Sequence, residues 1–156
     1  MAMKVFNEYR IKRSNSTAKA MKKLVESKIF TQYKDIIMIS AVIGYNYNRY
    51  VEFEDNAESV QMTFFNERDY DVIDLIVFSD KREQTILKEK EKYKIFESYA
   101  NGGFPILLER LDLKNIESMD VSEDETRTAQ KKYYSLLLSD GFIPKKAKVT
   151  GDDLFI

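Results

Sequence analysis

Thr31-Gln-Tyr-Lys-Asp-Ile-Ile-Met-Ile-Ser-Ala-Val-Ile-Gly-Tyr45 is the stretch on which the fold turns. From Ile36 to Ile43 every residue except Ser40 is apolar. A helix that is apolar nearly all round has to be buried on most sides, within one chain or across a dimer. Thr31 is a natural N-cap, Asp35 falls in the first turn near the positive end of the helix dipole, and Gly44 stands where a left-handed C-terminal residue belongs. This punctuation favours a helix over roughly Gln32 to Ile43. Periodicity alone leaves a buried strand open, because β-branched isoleucines suit both.

A buried central helix needs neighbours with apolar faces, and the flanking sequence supplies them. Upstream, Val5 to Arg13 alternates as a short extended segment, with Val5, Tyr9 and Ile11 on one side and Glu8, Arg10 and Lys12 on the other. Ser14 to Thr17 offers several N-caps for a first helix with Ala18, Met21, Leu24 and Val25 at helical spacing. Lys19, Lys22 and Lys23 fall on its outer side. Downstream, an acidic loop runs from Glu52 to Glu58, and Ser59 to Phe65 reads as a short strand or an extended loop. Asn66 or Asp69 caps a helix to about Ser79, and Glu83 to Ala100 is the longest helix candidate. It is expected to stop at Asn101-Gly102-Gly103, with Pro105 opening the next helix. A linker rich in Ser, Asp and Glu, Glu117 to Glu125, precedes a final helix, Thr126 to Ser139, ended by Gly141, with a loosely held tail beyond Pro144. The expected fold is mostly α: a compact helical domain with a short N-terminal strand and about five to six helices. Residues 1–118 form its body, and 119–156 an appended helix and tail.

With 156 residues, 44% of them apolar, the chain is one domain with ample material for a core. It contains no cysteine and no histidine. That removes disulfides, cysteine- and histidine-ligated zinc, thiol nucleophiles and imidazole bases. Met1 to Arg13 lacks a signal-peptide core, and the longest apolar run, Ile36 to Gly44, is far below the ~20 residues of a membrane span. The expected setting is the cytoplasm, with no membrane partner. The net charge of −1 hides an asymmetry: Met1 to Lys34 holds nine Lys/Arg against two Asp/Glu, and Asp35 to Asp80 holds two against ten. The local field therefore matters more than the total.

The order strand, helix, helix matches a ribbon-helix-helix start, in which two chains pair strands and read a DNA major groove with alternate side chains. Glu8, Arg10 and Lys12 are the groove-facing side chains here, while Arg13, Lys19, Lys22 and Lys23 would meet phosphates. Tyr45, Tyr47 and Arg49 are a second set, able to stack bases and pin a phosphate. The plainer alternatives are an ordinary surface helix and a tyrosine lid over the buried helix. Asp69, Asp71 and Asp74 are the one tight carboxylate group, yet they point different ways on a helix, so no metal or other cofactor is expected. Gly102-Gly103 lacks the lysine and further glycines of a phosphate loop, and the serines lack a histidine base, with no nucleophile elbow or serine–lysine pairing to replace it. No catalysis is expected.

Two stretches carry a family likeness. Phe30 to Tyr45, continuing to Arg49, resembles the central segment of small accessory proteins of DNA phosphorothioation (Dnd) systems. Ile95-Phe-Glu-Ser-Tyr-Ala-Asn-Gly-Gly-Phe-Pro-Ile-Leu107 resembles their second signature. Asn48 stands where the family pattern has glycine. The resemblance implies a non-enzymatic accessory role in bacterial machinery that places sulfur in the DNA backbone or restricts unmarked DNA, an anti-phage setting. It also implies other subunits of that system and DNA as partners, and a possible homo-oligomer, since the DndE subunit is a small helical DNA-binding oligomer with a similar start. The alternative role is an adaptor that docks a partner subunit through the acidic middle segment.

Overall fold

The computed structural model of the protein describes residues 4–56 and 58–139. The expectations for Gly141 and the tail beyond Pro144 lie outside them. At the centre is α2 (Tyr33–Asn46), in which every residue from Ile36 to Tyr45 is buried. Its main neighbour is α4 (Glu91–Arg110). The two helices touch backbone to backbone. A Cβ on Gly103 would lie 1.8 Å from the Ser40 carbonyl oxygen, and one on Gly44 would lie 2.0 Å from the Tyr99 carbonyl oxygen.

That contact corrects three expectations. Gly44 does not end α2; the helix runs on to Asn46, and Asn48 (φ 57°) takes the left-handed position instead. Gly102 and Gly103 do not end a helix either, since α4 passes through both and through Pro105 without a break. The glycines are required by the closeness of the two helices, which outweighs the ~1 kcal/mol that a mid-helix glycine costs. Pro105 sits on the exposed side of α4. The long helix foreseen from Glu83 begins only at Glu91, after a left-handed Arg82 (φ 60°) and a 3₁₀ turn over Gln84–Lys88.

The N-terminal strand is shorter than its alternation implied. A backbone turn closes between the Tyr9 N–H and the Phe6 carbonyl (3.0 Å), and β1 is only Arg10–Ile11. It pairs antiparallel with β2 (Val60–Gln61), Ile11 opposite Val60, so its partner is a strand of the same chain. Ile11 enters the core with no exposed surface. Helix α1 (Asn15–Glu26) follows and buries Thr17, Ala20, Met21 and Leu24. Its first N–H, on Asn15, donates to Asp55 Oδ2 (2.9 Å), so the acidic loop caps the basic helix.

Helix α3 (Glu67–Lys81) starts with a full capping box between Asn66 and Asp69. Helix α5 (Glu123–Ser139) begins three residues before the expected Thr126, because Ser122 and Glu125 form a reciprocal cap there. Tyr133 packs on Phe30 with ring centroids 4.4 Å apart, and the Thr126 hydroxyl donates to the Ser27 carbonyl (3.1 Å). Among the described residues no helix is long and apolar enough to cross a membrane. Among the described residues the architecture is mostly helical, with five α-helices and one short antiparallel sheet near the N-terminus.

Candidate functional site

The nine residues singled out from the sequence divide into four groups. Lys19, Lys22 and Lys23 lie on the side of α1 opposite Thr17, Ala20, Met21 and Leu24; Lys19 and Lys22 are exposed and Lys23 is half-buried. None of the three forms an ion pair among the described residues, so their charges face solvent uncompensated. Arg10 is exposed on β1, and Lys12 is exposed one step beyond its end.

Arg13 is buried instead, with 4% of its surface exposed. Its Nε donates to the Glu58 carbonyl (2.8 Å), a terminal nitrogen lies 3.5 Å from the Glu58 carboxylate, and the guanidinium sits 4.4 Å from the Tyr33 ring centroid. Burial draws its pKa below the ordinary arginine value. It acts as a strut between the N-terminal segment, α2 and the acidic loop.

Among the tyrosine set, Tyr45 belongs to the core and meets Tyr99 edge to face, centroids 5.3 Å apart. Tyr50, the next tyrosine along the chain after Tyr47, packs on the same Tyr99 ring at 4.9 Å, so tyrosines of this stretch do cover α4. Tyr47 is exposed, and Arg110 stacks on its ring at 5.1 Å while donating to its hydroxyl. Arg49 is exposed at its side chain and locked at its backbone. Its N–H donates to the Gly44 carbonyl (2.7 Å), and its carbonyl lies where a Cβ on Gly102 would stand, at 2.0 Å. The loop after α2 is therefore fastened to both signature segments at once.

The carboxylates of α3 are engaged structurally. Asp69 pairs with Lys34 (2.6 Å) and completes the capping box; Asp74 is buried 3.0 Å from the equally buried Lys92 ammonium. Among the described residues no three carboxylates converge as a metal ion would require.

Sequence reasoning passed over Glu97, about a turn and a half before the glycines of α4. Only 4% of it is exposed, and its Oε2 accepts the Lys12 N–H (2.6 Å) and the Tyr9 hydroxyl (3.0 Å). Burial pushes its pKa up to about 7, against the opposing pull of those two bonds and of the Lys12 and Lys94 charges. With Lys12, Tyr50, Glu52, Glu54 and Lys94 it lines a cavity of about 430 Å³. The only signal in the sequence was its place inside the second signature. Nothing local marks a glutamate as buried when its partners lie some eighty positions upstream.

Neither curated proteins nor solved structures give a significant match to the chain. A family model does: the one described as DNA sulphur modification system-associated protein 4 matches residues 10–134, from β1 through most of α5, and so takes in both signature segments and the close contact they make. On that match the chain belongs to the family of DNA sulphur modification system-associated protein 4, accessory proteins of the Dnd machinery.

Proposed function

We propose that this accessory protein is non-enzymatic and attaches to the DNA on which the sulphur-modification machinery works, through the outer face of α1. The carrying observation is the trio Lys19, Lys22 and Lys23, which share one solvent face with no carboxylate pairing them among the described residues. Much of the opposite charge is already committed elsewhere. Asp55 caps α1, Glu58 holds Arg13, Asp69 holds Lys34 and Asp74 holds Lys92. Of the basic residues before Asp35, Arg13 and Lys34 are thus neutralised inside the fold, and α1 groups three of those that remain on one face. Such contacts attract the phosphate backbone without reading sequence. Tyr47, with Arg110 against its ring, and the exposed Arg49 form a second set whose ring and charges suit a displaced strand.

A titration of duplex DNA at two salt concentrations tests the reading. Three phosphate contacts give a slope of about −2.7 in log K against log salt, so binding should weaken about 40-fold between about 50 and 200 mM. An affinity that changes less than about threefold over that range contradicts it.

A further inference from the structure

The cavity beside Glu97 is independent of the lysine face of α1, and its chemistry is different. Three carboxylates, Glu52, Glu54 and Glu97, meet two ammonium groups, Lys12 and Lys94, around one opening. With Glu97 ionised, the lining carries one net negative charge. Glu97 is the buried member, and only its Oε2 is occupied; Oε1 accepts no hydrogen bond among the described residues. Two rings, Tyr50 and Phe53, line the same space. Tyr50 is 40% exposed, so its ring also gives the opening an apolar rim.

We propose that this cavity receives the guanidinium of an arginine presented by a partner protein. A planar fork of N–H donors can bond the open Glu97 oxygen and one rim carboxylate together, and can lie against an aromatic face, which a tetrahedral ammonium does less well. One guanidinium supplies the single positive charge the lining lacks. The exposed carboxylates at the mouth disfavour a phosphate there, and the apolar rim is a surface that a protein covers and a free cation leaves bare.

The test is a titration of the full chain with Nα-acetyl-arginine N-methylamide, followed by backbone amide NMR. The neutral citrulline analogue and the lysine analogue serve as controls. Saturable shifts should be confined to the amides around Lys12, Tyr50 to Glu54 and Lys94 to Ser98, with citrulline at least about tenfold weaker. Glu97→Gln should weaken arginine about tenfold. Because that variant also touches the Tyr9 and Lys12 bonds, the exposed pair Glu52→Gln with Glu54→Gln is a second variant, expected to weaken it several-fold with the fold intact. The charged and titratable groups facing Glu97 are Tyr9 and Lys12 from the N-terminal segment, Lys94 from α4, and Glu52 and Glu54 from the loop. Ionisation of Glu97 near pH 7 should make binding about tenfold tighter at pH 8 than at pH 6. Equal binding of citrulline, equal or tighter binding of the lysine analogue, or shifts scattered over the surface would overturn the proposal. So would the absence of any shift with arginine at tens of millimolar, or displacement of arginine from these amides by a single-stranded oligonucleotide.

Discussion

Glu97 shows how far a single residue can depart from what its neighbours in sequence imply. Its folded-state pKa of about 7 lies above the 4.5 of an unperturbed glutamate, so between those values the native state holds a proton that the unfolded chain has released. Stability therefore falls as pH rises from about 4.5 to 7, by about 3 kcal/mol in all, and is flat from this cause beyond. Urea midpoints for the wild type at pH 5 and pH 8 should show that fall, and Glu97→Gln should remove most of it; an unchanged slope in the variant contradicts the assignment. Asp74 makes the same point about burial. It lies 3.0 Å from Lys92 in the core, and Asp74→Ala leaves that ammonium without its carboxylate, a loss of about 3–5 kcal/mol readable by chemical denaturation. A loss below about 1 kcal/mol would show the pair to be dispensable. Neither residue was legible as buried, since charge in a sequence reads as surface until its partner is found. Local rules gave the left-handed position to Gly44, yet Asn48 holds it (φ 57°), a conformation that glycine takes best and asparagine is among the residues that tolerate.

At the level of elements, the apolar run of α2 marked burial but left helix and strand open. The punctuation that favoured a helix is misplaced, since the N-cap is Gln32 and the helix passes through Gly44. Helix α1 was legible from its spacing. The glycines were misread because local rules treat glycine as punctuation. Gly44 and Gly103 lie far apart in the chain, and only their meeting across the α2–α4 contact shows why neither can carry a Cβ. The substitution Gly103→Ala separates the two explanations. If the position were merely helical, alanine would stabilise by up to ~1 kcal/mol. With the Ser40 carbonyl 1.8 Å from the new Cβ, the helices must part, and destabilisation by about 3 kcal/mol or more is expected in thermal or urea unfolding. The strand was foreseen from Ile11 and its alternation, but its length was not. Its pairing with Val60–Gln61 depends on the intervening helices bringing that segment back, and no periodicity within Val5 to Arg13 records this.

Over the whole molecule, the basic first third and the acidic middle are folded onto each other, and that arrangement sorts the candidate residues. Arg13 was not separable from the lysines in sequence, because its burial is set by Glu58 and Tyr33, which other segments supply. Lys19, Lys22 and Lys23 were legible, because helical spacing alone places them away from Ala20, Met21 and Leu24. Fold and family leave this one helix face as the clearest uncompensated charge of the N-terminal region, and the account of the protein as a DNA-attached accessory stands on it. The most direct check is duplex DNA affinity at about 50 mM salt for the wild type and for Lys19→Glu, Lys22→Glu, Lys23→Glu combined. The reversed face should bind at least about a hundredfold more weakly, with an unchanged circular dichroism spectrum and melting temperature. Equal affinity in the two proteins would contradict the account.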